Sequence, residues 1–374
     1  MNAARRRAAL AAAMVAVFPV AAFAQGDLPV GRLRFLTGFE MRSVSFDAGL
    51  GVKTISEMAV PLGVMFNPST RLAFDLGIRY ASATRTPSDT AAAKGTVSGP
   101  TDLQVRGVFQ VIPDAVVFTL AANLPTGKTK LTADELPAAG AVASELIPFP
   151  VTSFGTGPNV TTGLAVAVPV AGWAVGLAGA YRLSGAYTPM ATIDSSYTPG
   201  GEMRFRVGAD RVVGQGRVSL GFTYSSFSQD EFGGASIYQP GKRYIAQASW
   251  SFPVGNLGLV LYTWDLYRTP GTVLLSSSET EKQNVLTAGL AASLQMGRIV
   301  LRPQVEFRKH TAGVDKLEAA GQLLSLSARL SLPLSEALSL TPAVRFDTGN
   351  DVNDSGATFG FTGWGLSVGI RATL

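Results

Sequence analysis

The sequence predicts an all-β chain: a transmembrane, antiparallel, up-and-down β-barrel of about 16 strands, within a range of roughly 14 to 16. Three observations carry that expectation. Apolar residues recur at every second position along most of the chain, the period of a strand with one apolar face. No internal apolar stretch is long enough to cross a bilayer as a helix. The connections between strands alternate between short turns and long loops.

Composition agrees. Only 15% of residues are charged, while 47% are hydrophobic and 41 are glycine; soluble domains carry roughly 25% charge. Cysteine is absent, which excludes a disulfide scaffold, a thiolate metal site and a lipid-modified N-terminal cysteine. The start, "MNAARRRAALAAAMVAVFPVAAFAQ", combines Arg5, Arg6 and Arg7, an apolar run from Ala8, and Ala22-Phe23-Ala24 as a small-x-small cleavage site. It reads as a secretory signal peptide over 1–24, cut before Gln25, with 25–374 forming the barrel. Export then ends in the periplasm or the outer membrane, and the barrel expectation selects the bacterial outer membrane. Removing the three leader arginines takes 31 basic against 26 acidic residues to 28 against 26, so the charge balance gives no case for nucleic acid.

Taken in order, strands are expected near 31–45, 53–66, 71–84, 101–112, 116–124, 158–170, 173–185 and 201–213. Further strands follow near 217–227, 241–254, 257–268, 284–296, 298–310, 321–334, 337–348 and 358–374. In "RLAFDLGIRY", Leu72, Phe74, Leu76, Ile78 and Tyr80 alternate with Arg71, Ala73, Asp75, Gly77 and Arg79. Tight turns such as "NPST" (67–70), "PDA" (113–115), "GQG" (214–216) and "GN" (255–256) fit the periplasmic side. Loops 46–52, 85–100, 125–157, 186–200, 228–240, 269–283, 311–320 and 349–357 fit the outside. The last segment, "GWGLSVGIRATL", looks like the C-terminal signature strand of outer-membrane proteins, which implies the outer-membrane assembly machinery as a partner, although it ends in Leu374 where an aromatic is usual.

A soluble β-sandwich or propeller would alternate too. Against it, no blade-length repeat is visible. Aromatics also gather at both strand ends, with Tyr80, Tyr181, Tyr224, Trp264 and Tyr267 by the long loops and Trp173, Trp250 and Phe252 by the turns, as two headgroup-level belts would. Lipid offers backbone groups no hydrogen-bond partner, so the sheet must close. Pro303, Pro333 and Pro342 fall inside strands and should sit at bulges or near a rim.

With the apolar face on lipid, the other face lines a lumen with Asp75, Arg79, Asp102, Gln104, Arg106, Glu202, Arg204, Arg206, Asp210, Arg217 and Gln247. Further round come Asp265, Arg302, Gln304, Glu306, Arg308, Arg329, Arg345, Asp347 and Arg371. Fixed charges in a wet channel set which solutes pass, and arginine–carboxylate ladders also brace a barrel wall; both roles stay open here. A barrel enzyme would need a base, and the only histidine is His310, with no serine or aspartate tied to it by sequence. No enzyme activity, cofactor or metal is expected. Gly127-Lys128-Thr129 imitates the tail of a phosphate-binding loop, but Ala122 stands where the first glycine belongs and prolines on both sides disfavour the helix that should follow.

An ordered set of motifs over about residues 100–190 has another explanation. Asp102-Leu103-Gln104-Val105 opens a strand, and Leu124-Pro125-Thr126-Gly127 ends the next. Phe154-Gly155-Thr156-Gly157 closes the long loop, and Tyr181-Arg182 ends a return strand. This set resembles the meta-pathway of phenol degradation family, outer-membrane barrels akin to the long-chain fatty-acid transporter group; Phe154 replaces the usual Leu. The resemblance implies a channel for passive uptake of small hydrophobic or aromatic compounds. The polar inner face leaves a general hydrophilic porin as the alternative, and an outer-membrane hydrolase as a third. Loop 125–157 contains "LPAAGAVASELIPFPV" and is unusually apolar for an outer loop. It could fold into the pore or pack on the rim.

The mature protein is expected to begin at Gln25, to fractionate with outer membranes and to migrate faster on an unheated gel than after boiling. Recovery from the soluble periplasm would remove the barrel and restore the sandwich.

Overall fold

The computed structural model describes residues 29–89, 91–353 and 356–374. The signal peptide and the Gln25 cleavage point lie outside the described residues. The chain forms an antiparallel barrel of sixteen strands. In chain order the first eight are β1 (Leu33–Phe46), β2 (Val52–Phe66), β3 (Leu72–Pro87), β4 (Gly95–Pro100 continued as Leu103–Ile112), β5 (Val116–Leu124), β6 (Asn159–Val170), β7 (Trp173–Ser184) and β8 (Glu202–Val213). The rest are β9 (Gly216–Phe227), β10 (Arg243–Val254), β11 (Leu257–Arg268), β12 (Lys282–Met296), β13 (Ile299–Gly313), β14 (Glu318–Pro333), β15 (Leu338–Val352) and β16 (Thr358–Thr373). Each strand pairs with its sequence neighbour, and β16 closes on β1 from Arg34↔Thr373 to Phe46↔Phe361, so no edge faces lipid.

The surface is inside-out relative to a soluble sandwich. Leu177, Leu183, Phe205 and Val344 are all more than half exposed, while Asp347 and Thr287 on the opposite face are fully buried. Burying such a side chain is worth about 1.5–3 kcal/mol, so a face built this way is stable only against hydrocarbon. The protein is therefore an outer-membrane barrel embedded in lipid. Aromatics mark both rims. Tyr224, Tyr244 and Tyr267 line up across three strands with ring centroids 5.4 and 6.2 Å apart. On the turn side Trp250 meets Phe252 at 4.3 Å, and Arg211 lies over Trp173 at 5.6 Å.

Strand number and short turns follow the sequence expectation; some bounds do not. Residues 95–100, expected in a loop, continue β4 outward. The reason is a bulge at Thr101 and Asp102, which shifts the alternation by one, so that Val97 above it and Asp102 below it both turn inward. Thr101 replaces the missing ladder contacts: its Oγ1 accepts the Arg79 N–H at 3.0 Å and its own N–H donates to the Arg79 carbonyl at 2.7 Å. Strands β12–β15 also run further toward the long loops than expected, where polar sequence hides the strand period. Pro303 and Pro342 sit within a few residues of the periplasmic turns, and the paired register skips beside each, as a residue without an N–H requires. Pro333 is the last residue of its strand.

The long loops are not bare. Tyr197–Thr198, Asp230–Phe232, Ala235–Gln239, Thr272–Val273 and Ser278–Glu279 make a small second sheet above the barrel. Loop 125–157 does something different. It carries one short helix, α1 (Leu136–Val142), and turns into the lumen. Its Val142, Leu146, Ile147, Phe149, Val151 and Phe154 are buried against inward-facing Val44, Ile55, Ala81, Val97, Leu323 and Phe361 of the wall. The largest apolar core of the described residues thus lies inside the barrel, on the side of β1–β4 and β14–β16, and it leaves the β3–β10 side more open.

Candidate functional site

The site is the lumen at the level of that loop. Strand β5 stops at Leu124 because Pro125 has no N–H to continue the ladder. Thr126 then bridges back to the bulge: its hydroxyl accepts the Leu103 N–H at 2.9 Å and donates to the Thr101 carbonyl at 3.2 Å. Asp102 holds both stems of the loop. Its Oδ1 accepts the Gly127 N–H at 2.9 Å, and its Oδ2 accepts the Thr156 N–H at 2.7 Å and the Asn123 side-chain amide at 2.9 Å. The Lys128 N–H donates to the Phe154 carbonyl at 3.1 Å and zips the stems together. A Cβ on Gly127 would lie 2.2 Å from that same carbonyl oxygen and 2.7 Å from Asp102 Oδ1, so only glycine fits.

The phosphate-loop imitation dissolves in this geometry. The Gly127 N–H is committed to Asp102, and the Lys128 ammonium is bonded to Glu135 within the loop. Burial pushes the Glu135 carboxyl up, but the Lys128 and Thr132 hydrogen bonds outweigh it and hold the group below its ordinary range.

The far end of the loop is pegged by the wall. Arg42 donates to the Pro148 carbonyl and stands over the Phe149 ring at 5.7 Å. Arg79 donates to the Pro150 carbonyl at 2.9 Å, and Glu57 accepts the Val151 N–H at 2.9 Å. Arg268 pairs with Glu145 at 2.9 Å, while Arg308 donates to the Glu145 carbonyl at 3.2 Å and lies over Trp264 at 5.5 Å. Behind Arg42, Asp347 accepts from Arg42 at 2.7 Å, Ser325 at 2.6 Å and Arg345 at 2.8 Å. Arg42 and Arg345 share Asp347 in a buried, hydrogen-bonded ion-pair network.

The sequence-expected pore residues fall into three groups. Asp75, Arg79, Gln104, Arg106 and Arg204 border an open cavity of about 480 Å³ beneath the loop, together with Asp102 in the bulge. Arg106 is paired with Asp75 at 2.8 Å and Arg204 with Glu202 at 2.6 Å. Arg206, Glu306 and Arg345 belong to the wall network: Arg206 donates to Thr223 at 3.2 Å, and Glu306 accepts from Tyr262 at 2.8 Å with Arg345 at 3.8 Å. Arg302 and Arg329 are exposed and face each other across β13 and β14 near the periplasmic turns, away from the loop.

Two expectations are corrected. Asp265 points outward, because it stands opposite Leu286, an exposed lipid-side residue, and takes the Asn284 amide at 2.7 Å. Trp264, expected in the outer aromatic belt, instead stands opposite fully buried Thr287 and faces the lumen. The sequence reading missed Arg42, Glu57, Arg182, Arg243 and Arg268. For Arg42 and Glu57 the signal was available, since a charge in the middle of a lipid-embedded strand is expected to face inward, whereas Arg182, Arg243 and Arg268 lie at strand ends where that argument does not reach.

Compared by sequence, the chain matches no family model and no curated protein. Solved structures similar to it include OprB of Pseudomonas putida, at 12% identity and a TM-score of 0.48, covering 91% of this chain and 94% of that one. An anion-selective porin from Comamonas acidovorans is similar at 12% identity and a TM-score of 0.41, covering 91% and 98%. The monoaromatic hydrocarbon channel CymD is similar at 10% identity and a TM-score of 0.44, covering 91% and 88%.

Asp102→Ala leaves the Gly127 and Thr156 N–H groups without their acceptor. Charge-assisted hydrogen bonds are worth about 1.5–3 kcal/mol each, so the variant should lose about 3 kcal/mol or more, read as a lower temperature for conversion of the fast gel band. Asp102→Asn, which keeps one acceptor oxygen, should fall between. Equal conversion temperatures for all three proteins would show that the carboxylate does not hold the loop.

Proposed function

We propose that this outer-membrane channel carries out passive uptake of small hydrophobic or aromatic compounds through a lumen narrowed by loop 125–157. The carrying observation is the loop itself, folded inward, clasped at both stems and pegged along its tip. On the β3–β10 side an open cavity of about 480 Å³ lies beside the loop, within the range of a small-molecule pocket. The motif set over residues 100–190 supports the solute class, and its physical content is the clasp: Asp102, the Pro125-Thr126-Gly127 exit and the Gly155-Thr156-Gly157 return. Tyr262 and Trp264 add aromatic faces to the inner wall.

The hydrophilic porin is the second reading, favoured by the charged residues around the same cavity. No catalytic role is assigned to His310. Insertion into the membrane is assigned to the assembly machinery, through β16 as the terminal strand.

Deleting residues 134–150 should raise the permeation of small sugars into liposomes holding the purified protein. In cells it should abolish uptake of an aromatic or long-chain solute that depends on the intact protein. Fast sugar flux through the intact protein, unchanged by the deletion, would make the chain a porin.

A further inference from the structure

The open cavity beneath the loop carries more positive charge than its carboxylates neutralise. Arg79, Arg106, Arg182, Arg204 and Arg243 line it, against Asp75, Asp102 and Glu202. Asp75 is taken by Arg106 at 2.8 Å. Glu202 serves two guanidinium groups, Arg204 at 2.6 Å and Arg182 at 3.5 Å. Asp102 is saturated by the loop stems and the Asn123 amide. That leaves Arg79, which gives one nitrogen to the Pro150 carbonyl, and Arg243, which lies over the Phe227 ring at 5.3 Å. Neither forms an ion pair among the described residues, and Arg243 Nε is buried without a partner.

Two unneutralised guanidinium groups in a confined lumen, with an apolar plug on one side, raise the local concentration of anions. The planar fork of arginine also matches a carboxylate better than it matches a spherical ion. Arg182 widens the site: its side chain is 36% exposed against 15% for Arg204, so it still has donors facing the cavity. We propose that this cavity is an anion subsite on the permeation path, taking the carboxylate of a small organic acid, with Arg243 and Arg79 meeting its charge. The inference rests on the channel reading and adds the charge of the solute.

The test uses purified full-length protein in planar bilayers under a potassium chloride gradient, with benzoate as the organic probe. The wild type should pass chloride over potassium, and benzoate should block the chloride current. In Arg79→Gln/Arg243→Gln the permeability ratio should fall about fivefold, the scale of one charge interaction in water, and the benzoate block should weaken. Arg243→Lys, which keeps the charge, should retain most of the chloride preference. Folding of each variant is checked by heat-modifiable mobility. Should the double variant not fold, Arg243→Gln alone serves, because that side chain makes no hydrogen bond among the described residues. A wild type that conducts without preference or prefers potassium overturns the subsite and leaves the channel standing, as does a selectivity unmoved in a folded variant. A wild type that passes no current at all overturns the channel reading itself.

Discussion

A carboxylate in the lumen of a barrel has to be neutralised where it stands, and Asp102 has no guanidinium partner among the described residues. Backbone dipoles do the work instead: the N–H groups of Gly127 and Thr156 converge on its two oxygens from the opposite stems of one loop. This arrangement exists because the bulge at Thr101 and Asp102 shifts β4 by one residue and turns the side chain inward beside the end of β5. The inward loop, the apolar core it carries and the narrowing of the pore all depend on that junction. Its cost is local irregularity in one strand pair, and Thr101 and Thr126 repair the ladder with their hydroxyls.

The arginines of the inner face divide into two kinds of work once the loop is in place. Arg42, Arg79, Arg268 and Arg308 bind carbonyls or the carboxylate of the loop and hold its tip. Arg106, Arg182, Arg204 and Arg243 border the space the loop leaves open. Holding the loop and bordering the open space thus fall to different residues of one wall, with Arg79 contributing to both. The loop is held in place by these pegs, since releasing it would take the Pro148 and Pro150 carbonyls from Arg42 and Arg79 and the Val151 N–H from buried Glu57.

Most of the barrel was legible in the sequence because a lipid-facing wall imposes a strict period of two, and residues such as Phe74, Leu76 and Tyr80 obey it against Asp75 and Arg79. It failed where the period itself fails. Residues 95–100 looked like loop because the bulge reverses parity, and Asp265 and Trp264 were assigned to the wrong faces because β11 mixes large residues on both sides. The loop could be recognised as unusually apolar, but its destination could not. Val142, Leu146 and Phe149 find their partners on β1–β4 and β14–β16, contacts that span most of the chain and leave no local trace. The clasp left a trace without a meaning: Asp102, Gly127 and Thr156 stand out as motif residues, and only the fold brings them together.

The central claim, that loop 125–157 is seated in the lumen against the distant wall, can be tested by a crosslink in a chain that has no cysteine of its own. A Cβ built on Gly321 of β14 lies 2.5 Å from Leu146 Cδ2, so the two positions are neighbours, the proximity that a disulfide between cysteines there needs. Leu146→Cys/Gly321→Cys, folded and then mildly oxidised, should yield the linked peptide by mass spectrometry and no free thiol. A folded, heat-modifiable double variant in which both thiols stay free and react with an added reagent would contradict the account.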